Sequence, residues 1–472
     1  MWVVWWSLVA LGVETVEVDA RDAAGPPSSS CKADLGQIDV EKADQGARTA
    51  IPRRPKPAAD ADQKPKPPED PRKVRIHGEV VLAGDLPGGQ PDALPLEPLV
   101  GPDVVRARIA EVYARAEANA PVRWSFFGAS HTGGDYWTGK IRRDLQDRWG
   151  DRGHGFILPA PLYKGYRGQD LNLCATTGWV AEWAGPGGTS DPRLGFMGAA
   201  VHAGSEGAFG WVETTRSNPH GRKVDKVDLY AWGGPEGGEL TVTPDALAPT
   251  TVSMQREAPQ LVRVRTHLTD GAHRVRFSGT ARMFGASLER NAPGILVDAM
   301  GIRGRTARTW LAWDESLMGA GLQALAPDVV VLAYGTNEAA DTNYTMERYE
   351  QDLRKVLEKM RRHVPEDVPC ILVGPSDRVK LARDGIYDVW ERTAPVAAVQ
   401  QKVAPDYGCL SWDWQAATGG EGSMLSFYEQ EPKMAAGDFI HFRRAGYEWS
   451  AKRFIQAVDE AVAKVSPRPA SE

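Results

Sequence analysis

Apolar residues recur along the chain at two periods, and the change from one to the other divides it. Between Pro102 and Pro121, Val104, Val105, Ile109, Val112, Tyr113 and Ala116 fall at helical spacing, and the aromatic run that follows predicts a buried strand over 123–127. A second helix is predicted from Tyr136 to Arg148, with Tyr136, Trp137, Ile141, Leu145 and the adjoining Trp149 on one face. From Tyr163 to Phe284 the period drops to two. Runs such as Val224-Asp225-Lys226-Val227-Asp228-Leu229-Tyr230 and Leu261-Val262-Arg263-Val264-Arg265, broken by Gly, Pro and Asn, predict an antiparallel β-sandwich without helices. From Gly294 the alternation of strand and helix resumes, with strands over 294–298, 328–334, 371–373 and 409–413 and helices over 345–363, 386–403 and 445–465. Apolar strands spaced by helices predict a parallel sheet covered on both faces. The simplest domain account is one α/β unit in two pieces, 99–162 and 285–466, interrupted by a β domain over 163–284 and followed by a tail, 467–472.

The residues before this unit differ in kind. Residues 1–13 form an apolar run, Met1 to Val13, shorter than the roughly 20 residues of a spanning helix, and read as the core of an export signal without its basic flank. Residues 14–98 are rich in Pro, Ala, Asp and Lys, as in Lys64-Pro65-Lys66-Pro67-Pro68, and are expected to form a disordered tether to a membrane or cell wall. Inside that stretch Val74, Ile76, Val80, Val81 and Leu82 make an apolar patch whose structure the pattern leaves open.

Composition narrows the classes. A chain of 472 residues is too long for one core. With 56 Lys and Arg against 62 Asp and Glu, a net charge of -6, it lacks the basic footprint of a nucleic-acid binder. Cys31, Cys174, Cys370 and Cys409 lie far apart without C-x-x-C spacing, which indicates neither a zinc site nor a disulfide scaffold. A single Cys370–Cys409 bridge is left open, and Cys31 reads as a linker cysteine.

Four turns carry candidate chemistry. In Trp124-Ser125-Phe126-Phe127-Gly128-Ala129-Ser130-His131-Thr132 a strand hands over to a helix through a glycine turn, the place where a serine nucleophile is exposed. A helix N-cap is the plain alternative for Ser130. In Asp438-Phe439-Ile440-His441 the spacing lets Asp438 orient the imidazole of His441, whose other nitrogen faces Ser130. Gly301-Ile302-Arg303-Gly304-Arg305-Thr306 and Gly335-Thr336-Asn337-Glu338 each follow a predicted strand. Carboxyl ends of strands in an open α/β sheet converge on one crevice, so the Ser130 amide, the Gly304 amide and the Asn337 side chain are candidate oxyanion donors. Gly304 as a turn glycine and Asn337 as a helix cap are the alternatives. His131 reads as a support for the Ser130 turn. Among Trp179, Trp183, Trp211 and Trp232, the glycine-flanked Trp232 is the one expected to be exposed for stacking on a sugar.

This order of blocks resembles the SGNH (GDSL-like) hydrolase family over about 102–466, most specifically in Ala333-Tyr334-Gly335-Thr336-Asn337-Glu338 and Asp438-Phe439-Ile440-His441-Phe442. The resemblance implies a three-layer, flavodoxin-like α/β fold with Ser130 as nucleophile, His441 as general base, Asp438 as its orienter, and Ser130, Gly304 and Asn337 as the oxyanion hole. A β-sandwich inserted after the serine block is similar to the arrangement in peptidoglycan O-acetylesterases and related bacterial carbohydrate esterases, where the inserted module resembles carbohydrate-binding domains. The implied protein is a secreted, periplasmic or envelope esterase. It would be a monomer that takes an acetylated polysaccharide or peptidoglycan and needs neither metal nor organic cofactor. Ala129 stands where the family usually has Asp, and Arg303 where the related esterases often have Asn. Those departures keep a glycan-binding pseudoenzyme open beside the esterase, and an O-acyltransferase using the same serine is the other alternative.

Overall fold

The computed structural model describes residues 13–23, 25–26, 72–163, 166–216 and 218–465. At its centre lie five strands, β1 (Pro121–Gly128), β2 (Gly294–Gly301), β3 (Val329–Ala333), β4 (Cys370–Val373) and β5 (Cys409–Trp412). All neighbours are parallel, and the order across the sheet is β2-β1-β3-β4-β5, the flavodoxin-like order with its switch point between β1 and β3. Successive residues of each strand face opposite sides, so both faces are apolar and both need cover. Val122, Trp124, Phe126, Val297, Val331, Ile371 and Leu410 share a core with α1 (Asp103–Glu117), α2 (Tyr136–Trp149) and α6 (Arg444–Val465). Phe127, Met300, Val330, Leu332 and Leu372 point the other way. They pack with α3 (Glu315–Leu325), α4 (Met346–Arg361) and α5 (Thr393–Val403). Three layers result.

The inserted stretch forms two further sheets. One has the order 13–19, 260–271, 224–233, 283–289, 199–203, 179–183, with 155–157 also paired to 283–289. The other runs 250–253, 239–244, 274–278, 209–214, 171–175. Leu240, Val242, Val275 and Phe277 of the second share a buried core with Leu229, Ala231, Val262 and Val264 of the first. Because Gly155–Ile157 and Met283–Glu289 belong to this β unit, it extends past both ends of the expected 163–284. A buried polar seam joins it to the α/β unit. The Arg123 guanidinium of β1 donates to Ser287 Oγ (3.2 Å) and pairs with Glu289, while Asp298 of β2 accepts from Ser125 Oγ (2.7 Å) and the Phe156 amide (3.0 Å).

The expectation of a disordered tether over 14–98 is corrected at both ends. Val13–Asp19 is a strand lying parallel to Gln260–Gly271, with Val13, Val16 and Val18 buried. Lys73–Ile76 and Glu79–Leu82 form a hairpin whose first strand pairs with Tyr387–Val389, and Val74 is fully buried. Local composition misled here because the few apolar residues of this stretch find their partners hundreds of positions away. The same pairing corrects the helix expected from 386: Tyr387–Val389 is extended, and α5 begins at Thr393. Among the described residues no cysteine is free. Cys370 and Cys409 are bonded to each other across β4 and β5, and Cys174 is also disulfide-bonded, which corrects the reading of no disulfide framework. The reading of residues 1–13 as an export signal lies outside the described residues except for Val13, which begins the strand at 13–19, and the readings of Cys31 as a linker cysteine and of 467–472 as a tail lie outside them too.

Removal of residues 1–98 takes away the strand at 13–19 and the hairpin at 73–82 and exposes the apolar surfaces they cover. The truncated chain is expected to melt roughly 5 °C or more below the full chain in a thermal scan. An unchanged melting temperature would show these segments to be dispensable.

Candidate active site

Register brings the site together. Gly128, the last residue of β1, pairs with Gly301 on one side and Ala333 on the other, so three strand ends arrive at one level. A Cβ on Gly128 would fall 2.2 Å from Thr132 Oγ1 and 2.8 Å from the Ala333 carbonyl, which restricts this corner to glycine. The chain then turns at Ala129, and half-buried Ser130 opens a one-turn helix, Ser130–Gly133.

Ser130 Oγ lies 2.8 Å from His441 Nε2, and His441 Nδ1 lies 2.7 Å from Asp438 Oδ2. The other Asp438 oxygen accepts the amides of Ile440 (3.1 Å) and His441 (3.0 Å). Burial alone would raise the Asp438 carboxyl, but the His441 ring and these two amides outweigh it and hold it well below the usual carboxylate range. An ionised Asp438 keeps the proton on His441 Nδ1 and leaves Nε2 free to accept from Ser130. The three side chains thus form one continuous relay from hydroxyl to carboxylate.

The two other predicted residues sit on loops tied to each other, and the glycine loop is joined to the nucleophile turn by the Ile302 amide, which donates to the Gly128 carbonyl (3.0 Å). Gly304 is in the left-handed region, φ 75°, with open space where a Cβ would be. The Asn337 side-chain amide donates to the Arg305 carbonyl at 2.7 Å, which locks the glycine loop to the turn after β3. Glu338, buried beside it, accepts the Ala307 amide (2.7 Å) and the Gly335 amide (2.9 Å), stapling the same two loops. Burial pushes its carboxyl up to about 7 despite those two donors. Gly335 has φ 129°, and a Cβ there would meet Pro375 at 2.8 Å.

Ala129, at the position of the family's usual Asp, is 4% exposed. The bracing of the turn comes from elsewhere. Gly128 O accepts the Ile302 amide (3.0 Å), Ala129 O accepts the Gly133 amide (2.9 Å), and Tyr163 OH donates to Gly133 O (3.3 Å).

Sequence reasoning missed the segment leaving β4. Ser376 Oγ donates to the Ile440 carbonyl (3.3 Å) and lies 3.1 Å from His131 Nε2, whose Nδ1 is 2.8 Å from Tyr447 OH. His131 is buried against the His441 ring, centroids 5.2 Å apart. Burial first and the neighbouring His441 second lower its pKa to about 3, so it stays neutral as a prop for that ring. The positional rule that located the other turns also marks Gly374-Pro375-Ser376-Asp377, which follows a strand of the same sheet. Trp232, expected to be exposed, is 5% exposed instead. Arg193 covers its ring at 4.8 Å, and Gly234 leaves no room for a Cβ beneath it. Trp211 is buried, while Trp179 and Trp183 are half-buried.

Residues 267–449 match the model of the GDSL-like Lipase/Acylhydrolase family. The chain is similar to a solved peptidoglycan O-acetylesterase at 26% identity over 78% of this chain and 99% of that one, with a TM-score of 0.63. Two further solved structures share little with it. A family two carbohydrate esterase from Cellvibrio japonicus has 10% identity over 61% and 98%, TM-score 0.25. A salicylyl-acyltransferase from a tetracycline biosynthetic pathway has 16% identity over 65% and 98%, TM-score 0.27. A search of the curated proteins found no match.

The raised Glu338 carboxyl sets a pH dependence of stability. With a folded value of about 7 against 4.5, the folded chain holds this proton longer than the unfolded chain, so stability falls as pH rises through that window and levels above it. Asp377, buried and raised from 3.8 to about 6, acts in the same direction. Glu338→Gln is expected to flatten the fall between 4.5 and about 7 in denaturant titrations, by at most about 3 kcal/mol. An identical slope in the variant would remove Glu338 as its source.

Proposed function

We propose that the chain, whose residues 267–449 match the GDSL-like lipase/acylhydrolase model, is an ester hydrolase of the SGNH type that removes O-acetyl groups from a carbohydrate or peptidoglycan, using Ser130, His441 and Asp438. The observation that carries this reading is the unbroken relay from Ser130 Oγ through His441 to Asp438 at the switch point of the sheet. His441 Nε2 takes the Ser130 proton while Oγ attacks the acetyl carbonyl, and the oxyanion is received by the Ser130 and Gly304 amides and the Asn337 side chain. His441 then returns the proton to the departing sugar oxygen, leaving an acetylated serine. A water molecule, deprotonated by His441, attacks that ester, and acetate leaves as the proton goes back to Ser130.

The substrate class rests on the likeness to the peptidoglycan O-acetylesterase, which spans nearly all of that protein. Water as acceptor, rather than a second sugar, is favoured by an open relay: the His441 and Asp438 side chains are 29% and 49% exposed. We read the two inserted sheets as a β-sandwich that helps hold the glycan. The buried Cys370–Cys409 disulfide and the bonded Cys174 favour an oxidising compartment, hence secretion or the cell envelope. The bonds that replace the missing Asp around Ala129 favour a working enzyme over a pseudoenzyme.

Acetate release from small aryl acetates and acetylated glycans is expected from the full chain and is expected to fall roughly a thousandfold or more in Ser130→Ala. Asp438→Asn should lower kcat by a smaller factor, roughly a hundredfold or more, with little change in KM. Turnover that survives in Ser130→Ala would overturn the serine mechanism.

A further inference from the structure

Beside the relay lies a cation that the mechanism does not use. The segment leaving β4 is tied to the loop carrying Asp438 at two points, by Ser376 Oγ to the Ile440 carbonyl and by the Val379 amide to the Phe439 carbonyl (3.4 Å). Arg378 lies between those two ties, half-buried. Its guanidinium carbon sits 4.7 Å from the centroid of the Trp390 ring. Trp390 is held in turn by its indole N–H, which donates to the Ala339 carbonyl (2.7 Å) in the short helix that carries Asn337. Arg378 is therefore fixed between the acid loop and the oxyanion side of the site.

Its charge is not answered. Among the described residues no carboxylate lies within ion-pairing distance of Arg378, and Asp438 is near enough for its charge to act on it. That group is already engaged by the His441 ring and two amides. Arg303, exposed next to Gly304, has no ion pair among the described residues either. Elsewhere Arg142, Arg265 and Arg282 are matched by carboxylates, Asp135 (2.7 Å), Asp228 (2.7 Å) and Asp191 (3.0 Å), while Arg305, Arg361 and Arg392 donate to backbone carbonyls. Carboxylates are not scarce in a chain of net charge -6. A half-buried guanidinium stacked on an indole, whose N–H groups make no hydrogen bond among the described residues, is suited to a carboxylate arriving from outside.

We infer that Arg378 reads a carboxylate on the substrate, so that the acetylated sugar taken by this site is an acidic one with its charge close to the ester. The inference rests on the esterase reading above and adds to it the charge of the glycan. Such a carboxylate has two chemical sources, a lactyl ether on the ring or a uronic acid, and both present the same group to the guanidinium.

Kinetics on matched pairs test it. One pair is 6-O-acetyl-N-acetylmuramic acid and its lactyl amide, and the other is an O-acetylated galacturonic acid and its amide. Each pair differs only in carboxylate against carboxamide. The full chain is expected to prefer the acid of at least one pair, which names the source, with the preference expressed mainly in KM and weakening as ionic strength rises. In Arg378→Met the ratio of kcat/KM for acid over amide should fall roughly tenfold, and Arg378→Lys should restore part of it. A wild-type enzyme that treats acid and amide alike, at low salt, overturns the inference whether or not the variants fold. So does a parallel fall for acid and amide in Arg378→Met, which would mean that Arg378 acts on Asp438 rather than on substrate. Failure of the esterase reading looks different, since then neither member of either pair is hydrolysed, or Ser130→Ala retains the activity.

Discussion

The site depends on one backbone constraint, the double pairing of β1. A central parallel strand cannot slide without breaking hydrogen bonds on both edges at once, and β1 is held over its length by β2 and β3. With Gly128 level with Gly301 and Ala333, the three following turns begin at one height. The turns that carry Ser130, the glycine loop and Asn337 start side by side because their strands end together, and the late Asp438–His441 loop reaches Ser130 from just before α6. Small bonds then trim the arrangement, such as Asn337 to the Arg305 carbonyl and Glu338 to the amides of Ala307 and Gly335.

The β unit is joined to this sheet by charge as well as by apolar packing. Arg123 leaves the strand that ends at the nucleophile turn and reaches Ser287 and Glu289 in the insert. Lys226 pairs with the second Glu289 oxygen at 2.9 Å. Burial would push Glu289 up, yet Arg123 and Lys226 hold it well below the usual range. Groups so buried tolerate few alternative arrangements, since an offset of an ångström or two would strand a charge without its partner. The seam therefore orients the insert on the α/β unit.

Much of this was legible in the sequence, for identifiable reasons. Strands β1 to β5 are near-continuous apolar runs buried on both faces, and helices such as α2 and α4 carry one apolar stripe, so period alone found them. The residues of the relay lie in turns directly after strands or before the last helix, where the fold class itself says to look. What stayed hidden depends on partners remote in sequence. Val74 and Tyr387 look unremarkable locally and become a mini-core only when the hairpin at 73–82 meets the strand at 387–389. Trp232 sits between residues that suggest exposure, yet Arg193 comes from the loop between the strands at 179–183 and 199–203 to cover it. The bond from Ser376 to the loop before His441 joins two turns that nothing in the sequence links.

The strand at 13–19 has a consequence for the order in which the molecule is assembled. Val13 lies opposite Leu261, so the earliest of the described strands to leave the ribosome has no edge to join until most of the insert has followed it. In that interval Val13, Val16 and Val18 are an unpaired β-prone segment of the kind that recruits neighbouring chains. Glu14, Glu17 and Asp19 alternate with them, and like charges on a nascent edge repel a second copy of the same edge. Once 260–271 appears, Glu14 meets Arg256 and Glu17 meets His267, so the charges that kept the waiting strand solitary become the ones that seat it.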